Sequence, residues 1–455
     1  MASNTQTPAG MLDLDAVIDG QQLGWRSVPL IGVALLALLC DGFDLAAMGY
    51  IVPELVKEWQ LEPARFVSAF SAGIIGMMIG GPLLGLLGDR LGRRRVIVLG
   101  LVAIGLATLV TMAAQTVTHL VILRFLTGIG LGGVIPNVAA LIAELAPRRI
   151  RGRMLVIVTL GMPLGISLPG LVAGLLVPGF GWQALLLVGG VLPLAVAITA
   201  RVVLPESPKY LVNKGGREDE TRQIVQRLRP DLAIGAETRF VVAARDQRRG
   251  SASQLFAGSL ALATPLLWIC QAANQMANFF SLTWLPTLLQ SAGATTAQAG
   301  AHASLFAIGG LFAGVILIFA IDRLGVVPLV VMFVIGVPLV AGMAGSNMGP
   351  AVHGMVIAGA GLCVTGINFG LTALLAIFYP TSIRSLGTGW TQAAGRLGAL
   401  AAPVVGGILL GQNIPIAQLT LAPAILMAVG AVACVVLAWL CFRQFGGTRV
   451  AEFSH

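Results

Sequence analysis

The chain has 455 residues, of which 57% are hydrophobic and only 10% are charged, and its net charge is +9. Soluble domains carry about 25% charged residues, so the composition excludes an ordinary soluble protein and predicts an integral membrane protein. The five cysteines lie in or beside apolar runs, without a C-x-x-C pair or a histidine at ligand spacing. We therefore expect neither a metal site nor a disulfide framework.

Apolar runs of membrane length organise the chain. A helix needs about 20 apolar residues to cross a bilayer, and about twelve such runs are present. They lie near residues 28–50, 65–88, 95–115, 119–145, 154–178, 182–204, 258–290, 299–320, 327–346, 350–379, 383–411 and 416–443. The predicted parts are an N-terminal tail (1–27), a six-helix bundle (28–204), a polar central loop (205–254), a second six-helix bundle (255–443) and a C-terminal tail (444–455).

The first apolar run contains two aspartates, in Asp41-Gly42-Phe43-Asp44. An acid at the centre of a membrane helix costs roughly 2.5–3.5 kcal/mol, so acids at these positions indicate a function. Residues i and i+3 share one helix face, and two like charges so close do not both ionise easily. Asp41 and Asp44 are the predicted proton-coupling residues. The alternative is that both lie near the water interface and only cap or pair.

Basic residues indicate the orientation of the helices. They follow the second and fourth runs and fill segment 205–254, whereas the opposite loops carry almost none apart from Lys57 and Arg65. The positive-inside rule places both termini and the central loop in the cytoplasm, and the predicted location is the bacterial inner membrane. Since topology accounts for the positive charge, no nucleic acid is expected as a partner.

Two motifs recur with the same spacing of 233 residues. Asp89-Arg90-Leu91-Gly92 returns as Asp322-Arg323-Leu324-Gly325, and Pro147 with Arg151 returns as Pro380 with Arg384. Because each half has an even number of spans, both copies have the same orientation. The predicted fold is therefore all-α, with twelve transmembrane helices in two parallel six-helix repeats.

These motifs resemble the major facilitator superfamily over essentially the whole chain. The segment from Gly85 to Arg95 is similar to the signature of its loop between spans 2 and 3, and Pro205-Glu206-Ser207-Pro208 is similar to a motif after span 6. The segment Asp41–Asp44 looks like a signature of the aromatic acid:proton symporters, a branch that imports benzoate-like acids. The second loop copy departs from the family pattern, because Gly325 is followed by Val326-Val327-Pro328 without a basic residue.

The resemblance implies a gate at the cytoplasmic ends of the helices. Its expected members are Asp89, Arg93, Glu144, Arg151, Asp322 and Arg384. For Arg93, as for its neighbours Arg94 and Arg95, the positive-inside rule alone is an equally good explanation. Glu144 has the alternative of being an exposed acid at a helix end. Arg124, in span 4, either snorkels to the outer interface or pairs inside the membrane with Asp41 or Asp44.

An anionic aromatic substrate needs a cation and apolar walls. Arg396 lies near the middle of span 11, and a guanidinium matches a carboxylate bidentately; the alternative is a structural link between helices. Span 7 carries a polar stripe, and buried amides in a membrane helix usually face a cavity. The expected substrate-binding residues are Arg396, Arg124, Phe43, Gln271, Asn274, Trp284, Asn368 and Trp390. Further candidates for the apolar walls are Phe279, Phe280 and Phe369, with Asn278 as a further polar contact. Each single aromatic residue has core packing as its alternative.

The sequence thus predicts a secondary transporter and not an enzyme, because no Ser/His/Asp set, metal cluster or phosphate loop is present. With the resemblance, the function expected is proton-coupled import of aromatic carboxylates by alternating access. The expected partners are the aromatic acid, the proton as coupling ion and the lipid bilayer; no cofactor is expected, and the chain is expected to be a monomer. The alternative is a proton-antiport exporter of drugs or metabolites, which the glycines and prolines of span 5 favour.

Overall fold

The computed structural model describes residues 11–21, 28–229, 232, 235, 238–241, 251–258, 260–343, 345, 348–380, 383–412, 414 and 416–445. The N-terminal half begins with a short strand and helix and continues with six membrane-length segments, the fifth of which is broken in two. The elements are β1 (Met11–Asp13), α1 (Leu14–Asp19), α2 (Val28–Trp59), α3 (Val67–Leu91), α4 (Arg93–Thr111), α5 (Val117–Leu145), α6 (Arg148–Thr159), α7 (Gly161–Phe180) and α8 (Gln183–Val203).

A central segment with two short helices leads to the C-terminal half. Its elements and those of the second half are α9 (Pro208–Lys214), α10 (Glu218–Leu228), β2 (Arg239–Val241), α11 (Leu260–Ser291), α12 (Thr296–Leu324), α13 (Val327–Gly342), α14 (Pro350–Phe378), α15 (Arg384–Gly411), α16 (Ile416–Leu419) and α17 (Leu421–Phe445). Within the described ranges, nine segments are long and apolar enough to cross a membrane. These nine segments, together with α11, α12 and α13, correspond to the twelve predicted runs. The all-α membrane fold is therefore confirmed.

The helices of the two halves pair in the same pattern. In the first half α2 packs against α7 and α8, α3 against α5, and α4 against α5 and α8. In the second half α11 packs against α15 and α17, α12 against α14, and α13 against α14 and α17. Since each pair in one half has its counterpart in the other, the structure has the parallel repeat that the recurring motifs predict.

Hydrogen bonds join the two halves at one end of the bundle. We call the end where α2 and α11 begin the tail face, and the end where they finish the far face. At the far face Lys57 Nζ donates a hydrogen bond of 3.0 Å to Gln290 Oε1, and these residues are 233 positions apart. Thr296 Oγ1 donates to Glu54 Oε1 at 3.0 Å. The far face is therefore closed by direct contacts between the two halves.

The N-terminal segment folds onto the central segment. Strand β1 pairs in parallel with β2, and Leu14 and Ile18 are buried in a small cluster with Val225 and Phe240. Arg148, at the start of α6, forms an ion pair with Asp19 at 3.0 Å. From the sequence only a tail and a loop are predicted here, because the apolar residues are too few and too scattered to be recognised as a core.

Close helix packing explains the glycines of span 5, which consists of α6 and α7. A Cβ at Gly161 would lie 2.2 Å from the carbonyl oxygen of Leu35, and one at Gly165 would lie 2.1 Å from that of Leu39. Helices α2 and α7 thus touch backbone to backbone. The break between α6 and α7 lies at Leu160, three residues before Pro163. Proline has no backbone N–H, so Pro163 cannot donate a hydrogen bond to the preceding helical turn.

We expect Gly165→Ala to destabilise the protein, because the added methyl group must separate α2 from α7. Overpacking of this kind costs typically about 1–3 kcal/mol. Gly32→Ala is the matched control, since a Cβ at Gly32 meets nothing within 4 Å. Thermal unfolding of the purified protein in detergent should show a lower midpoint for Gly165→Ala only. Equal midpoints for the two variants would contradict the packing explanation.

Candidate transport site

A central cavity of about 480 Å³ lies between the two halves and is lined by residues from both. Three phenylalanines, Phe279, Phe306 and Phe369, form part of its wall. Its polar lining includes Gln275, Asn278, Asn368, Gln392 and Arg396. An apolar cavity with a few convergent polar groups is the usual form of a small-molecule site.

Arg396 supplies the positive charge of this cavity. Both Nη atoms of its guanidinium lie 3.4–3.5 Å from the Cβ position of Gly81, so the glycine lets the group lie against α3. Among the ion pairs of the described residues, none includes Arg396. A cation without an acidic partner in an apolar cavity favours an anionic ligand, and a guanidinium binds a carboxylate with two parallel hydrogen bonds.

Amide side chains beside Arg396 form a hydrogen-bonded group. The Nε2 atom of Gln271, which is fully buried, donates to Asn368 Oδ1 at 3.4 Å and to Gln392 Oε1 at 3.3 Å. Because both partners accept with their oxygens, their NH₂ groups remain as donors. Of the predicted residues, Asn368 therefore lines the cavity and Gln271 supports it from behind. Asn274 is fully buried on the same helix and does not line the cavity.

Asp44 and Arg124 form an ion pair inside the N-terminal half. Arg124 Nη1 lies 3.0 Å from Asp44 Oδ2, and Thr108 Oγ1 donates to Asp44 Oδ1 at 2.9 Å. Both charged side chains are almost completely buried. Of the two alternatives for Arg124, the structure has the intramembrane pair, and the snorkelling interpretation is wrong.

Asp41 has a different environment from Asp44. It is 1% exposed, its Oδ1 has no hydrogen-bond partner within the described part of the protein, and it does not line the central cavity. The interpretation that both acids lie near the water interface is wrong, because both are buried among helices. The two acids share a helix face as expected, but among the described residues only Asp44 has a cationic partner.

Of the predicted aromatic residues, Phe279 and Phe369 line the cavity, whereas Phe43, Phe280, Trp284 and Trp390 do not. Phe43 is buried against the Gly189 backbone, and Trp284 packs on Phe70 with ring centroids 5.6 Å apart. Trp390 is 50% exposed and stacks on Trp268. Trp390 lies six residues before Arg396 on α15, which places the two side chains roughly 120° apart around the helix axis. Trp390 therefore does not face the cavity that Arg396 lines.

Gln392 and Phe306 are among the cavity residues that were not predicted from the sequence. Gln392 lies four residues before Arg396, which is one helical turn and the same face, so this signal was present in the sequence. Phe306, on α12, had no polar neighbour or motif to distinguish it from an ordinary core residue. The cavity's phenylalanines can be assigned only from the packing of the two halves.

The predicted gate residues of the N-terminal half form one cluster at the tail face. Arg93 pairs with Asp89, lies 3.7 Å from Glu144 Oε1, and donates to Asn137 Oδ1 at 3.2 Å. Gly92, between α3 and α4, has a φ of +102°, a conformation that favours glycine. This cluster ties the ends of α3 and α5 to the start of α4.

Two further gate candidates cap helix ends in equivalent ways. Arg151 Nη2 donates to the carbonyl oxygen of Ala146 at 3.2 Å, and Arg384 Nε donates to that of Tyr379 at 3.2 Å. Both acceptors precede a proline at the end of a helix, where carbonyl groups lack partners within the helix. Asp322 lies in α12, but its side chain is outside the described residues. The gating role of these residues stays a prediction.

Comparison with known proteins identifies the family. Residues 34–368 match the family model of the Major Facilitator Superfamily. The 4-hydroxybenzoate transporter of Pseudomonas aeruginosa is 34% identical, with 88% of this chain and 90% of that protein covered. The gallate transporter of Pseudomonas putida is 31% identical, with 89% and 91% covered.

A solved structure supports the same fold. The xylose transporter of Escherichia coli in an inward open conformation superposes with a TM-score of 0.67 at 19% identity, over 93% of this chain and 98% of that one. The resemblance inferred from the motifs is confirmed, and the chain is a transporter and not an enzyme. It is a multi-pass membrane protein that belongs to the Major Facilitator Superfamily.

Proposed function

We propose that the protein imports aromatic carboxylates together with protons. The observation that carries this proposal is Arg396, a cation with no acidic partner among the described residues, in a cavity walled by phenylalanines. A benzoate-like anion satisfies both features, since its carboxylate pairs with the guanidinium and its ring packs on the apolar wall. The relatives named for 4-hydroxybenzoate and gallate support this substrate class.

The proposed coupling runs through the pair of Asp44 and Arg124. A proton on Asp44 removes one charge of the pair and leaves Arg124 as an uncompensated cation. Arg124 lines a small pocket that shares Met77 and Phe279 with the central cavity, so its unbalanced charge favours the entry of an anion. Loss of the proton restores the pair and favours release of the anion. Asp41, three residues away, is the second candidate carrier of the proton.

The proposed transport cycle uses the two halves as rocking units. The closed far face and the direction given by the positive-inside rule support a state that is open towards the cytoplasm. In the opposite state, the contact between Lys57 and Gln290 at the far face must separate. The exporter alternative loses its main support, because helix packing explains the glycines of span 5.

Proteoliposome uptake tests the proposed function. We expect labelled 4-hydroxybenzoate to accumulate faster under an inward proton gradient than without one. Asp44→Asn should abolish this acceleration, because the amide cannot exchange the proton. Asp219→Asn is the matched control, since that aspartate is 89% exposed on the central segment, and it should behave as wild type. Gradient-independent uptake would overturn the coupling, and expulsion of preloaded substrate by an inward gradient would favour the exporter.

Binding to the purified protein tests the role of Arg396. We expect Arg396→Ala to weaken the affinity for aromatic carboxylates by at least about tenfold, because hydrogen bonds to charged groups contribute roughly 1.5–3 kcal/mol. Isothermal titration calorimetry in detergent measures this change. The control is Arg443→Ala, at the end of α17 over the ring of Trp439, which should leave affinity unchanged. Wild-type affinity in Arg396→Ala would show that the carboxylate binds elsewhere.

A further inference from the structure

Two histidines on neighbouring helices lie side by side near the far face. His302 is in the second turn of α12 and His353 is in the first turn of α14. Their ring centroids are 5.2 Å apart and the ring planes meet at 66°. Both side chains are partly exposed, and neither lines the central cavity. The proposed transport cycle therefore gives this pair no role.

The environment of His353 determines which of its nitrogens can bind a ligand. Its Nε2 atom lies 2.7 Å from the carbonyl oxygen of Met343. A carbonyl oxygen only accepts hydrogen bonds, so Nε2 carries the proton and Nδ1 of the neutral ring has the lone pair. No described residue donates a hydrogen bond to this Nδ1 atom. A ring held through its other N–H by a backbone carbonyl is the usual form of a histidine that binds metal.

His302 turns one edge of its ring towards α14. A Cβ at Gly354, the residue after His353, would lie 3.9 Å from Cδ2 and 4.0 Å from Nε2 of His302. The Nδ1 atom of His302 is completely buried, without a partner in the described part of the chain, whereas its Nε2 atom is not completely buried. Nε2 is therefore the nitrogen of His302 that can bind a ligand next to His353.

The distance between the two rings matches a single metal ion held by both. A zinc ion lies about 2.0–2.1 Å from an imidazole nitrogen, which is itself about 1.2 Å from the ring centre, so two such ligands at a tetrahedral angle have centroids about 5.3 Å apart. The observed separation is 5.2 Å. Aromatic rings that only pack together also lie about 4.5–7 Å apart, so the experiment must distinguish packing from metal binding.

We propose that His302 and His353 together bind a divalent transition-metal ion such as Zn²⁺. Imidazole nitrogens suit zinc, copper and nickel, whereas Mg²⁺ and Ca²⁺ take oxygen ligands. Within the described residues no group of three or more His, Cys, Asp or Glu side chains could hold a metal, so water completes the coordination of the ion. The two histidines are far apart in the chain, and for this reason their spacing matches no local metal motif.

The proposed ion lies on a helix that takes part in closing the far face. Ser304, two residues after His302 on α12, donates through Oγ to the carbonyl oxygen of Ser167 at 2.8 Å. A Cβ at Gly300 would lie 2.3 Å from the carbonyl oxygen of Gly170. Both contacts join the second half to the first. An ion that fixes the start of α12 against α14 therefore stabilises the surface that the second half contributes to the closed far face.

Isothermal titration of Zn²⁺ into the full chain in detergent, without a polyhistidine tag and without an aromatic acid, tests the site. We expect wild type to bind one ion per chain, and His302→Gln and His353→Gln each to weaken the affinity at least about tenfold. The loss of a group that only orients a metal ligand already costs about 10–100-fold. His119→Gln is the matched control, since His119 lies at the far-face end of α5 and its Nδ1 atom accepts from Gln115 N at 3.3 Å. It should bind Zn²⁺ as wild type does, and Mg²⁺ should bind to none of the four proteins.

His302→Cys separates a ligand from a packing residue. A thiolate binds zinc but does not replace an aromatic ring, so this variant should bind Zn²⁺ within about tenfold of wild type. The thermal unfolding midpoint without metal shows that each variant is folded. No Zn²⁺ binding by wild type, or binding that neither glutamine variant weakens, overturns the metal site. A His302→Cys protein that binds no better than His302→Gln overturns it as well. Because the titration contains no aromatic acid, each of these results leaves the proposed function standing.

Discussion

The buried ion pair of Asp44 and Arg124 is the interaction on which the account of this transporter depends. Charges inside a membrane helix are costly unless they are paired, and here a third group, Thr108, also binds the carboxylate. Removing one partner of a buried pair typically costs about 3–5 kcal/mol, because the other charge is left uncompensated. In the proposed coupling the same cost makes the pair a switch, since a proton on Asp44 leaves Arg124 in need of another anion.

The internal repeat explains how a symmetric scaffold carries an asymmetric site. The helix pairing is the same in both halves, but the charged positions are not. At the spacing of 233 residues, Asp41 corresponds to Asn274, and Arg396 corresponds to Pro163. The first half therefore has buried acids and a paired cation, whereas the second half has a cation that faces the cavity. In the proposed site, a substrate between the halves lies close to both kinds of charge.

Much of this arrangement could be predicted from the sequence, because the membrane imposes simple rules. Apolar runs predict the spans, recurring motifs predict the parallel repeat, and the rarity of charges in membrane helices singles out Asp44, Arg124 and Arg396. The aromatic lining could be predicted only as a set of candidates, of which Phe279 and Phe369 line the cavity. Phe43, Trp284 and Trp390 are as apolar as Phe279 and Phe306, and only the rotation of each helix decides which ring faces the cavity.

Long-range contacts also lie beyond what sequence patterns predict. The sequence left both Asp41 and Asp44 as candidate partners of Arg124. The pairing of β1 with β2 joins segments more than two hundred residues apart. The tail-face arginines are a third case, since Arg151 and Arg384 each bind a carbonyl of their own half. The number and position of the arginines indicate the orientation of the helices in the membrane. The hydrogen bonds of Arg151 and Arg384 depend on where each helix ends.

The central claim is that the binding of an anion is coupled to a proton on Asp44. The most direct measurement is proton uptake in a weakly buffered solution of purified protein, followed with a pH indicator while 4-hydroxybenzoate is added. Wild type should take up about one proton per ligand bound, and Asp44→Asn should bind the ligand without proton uptake. Ligand binding by wild type without proton uptake would contradict the account.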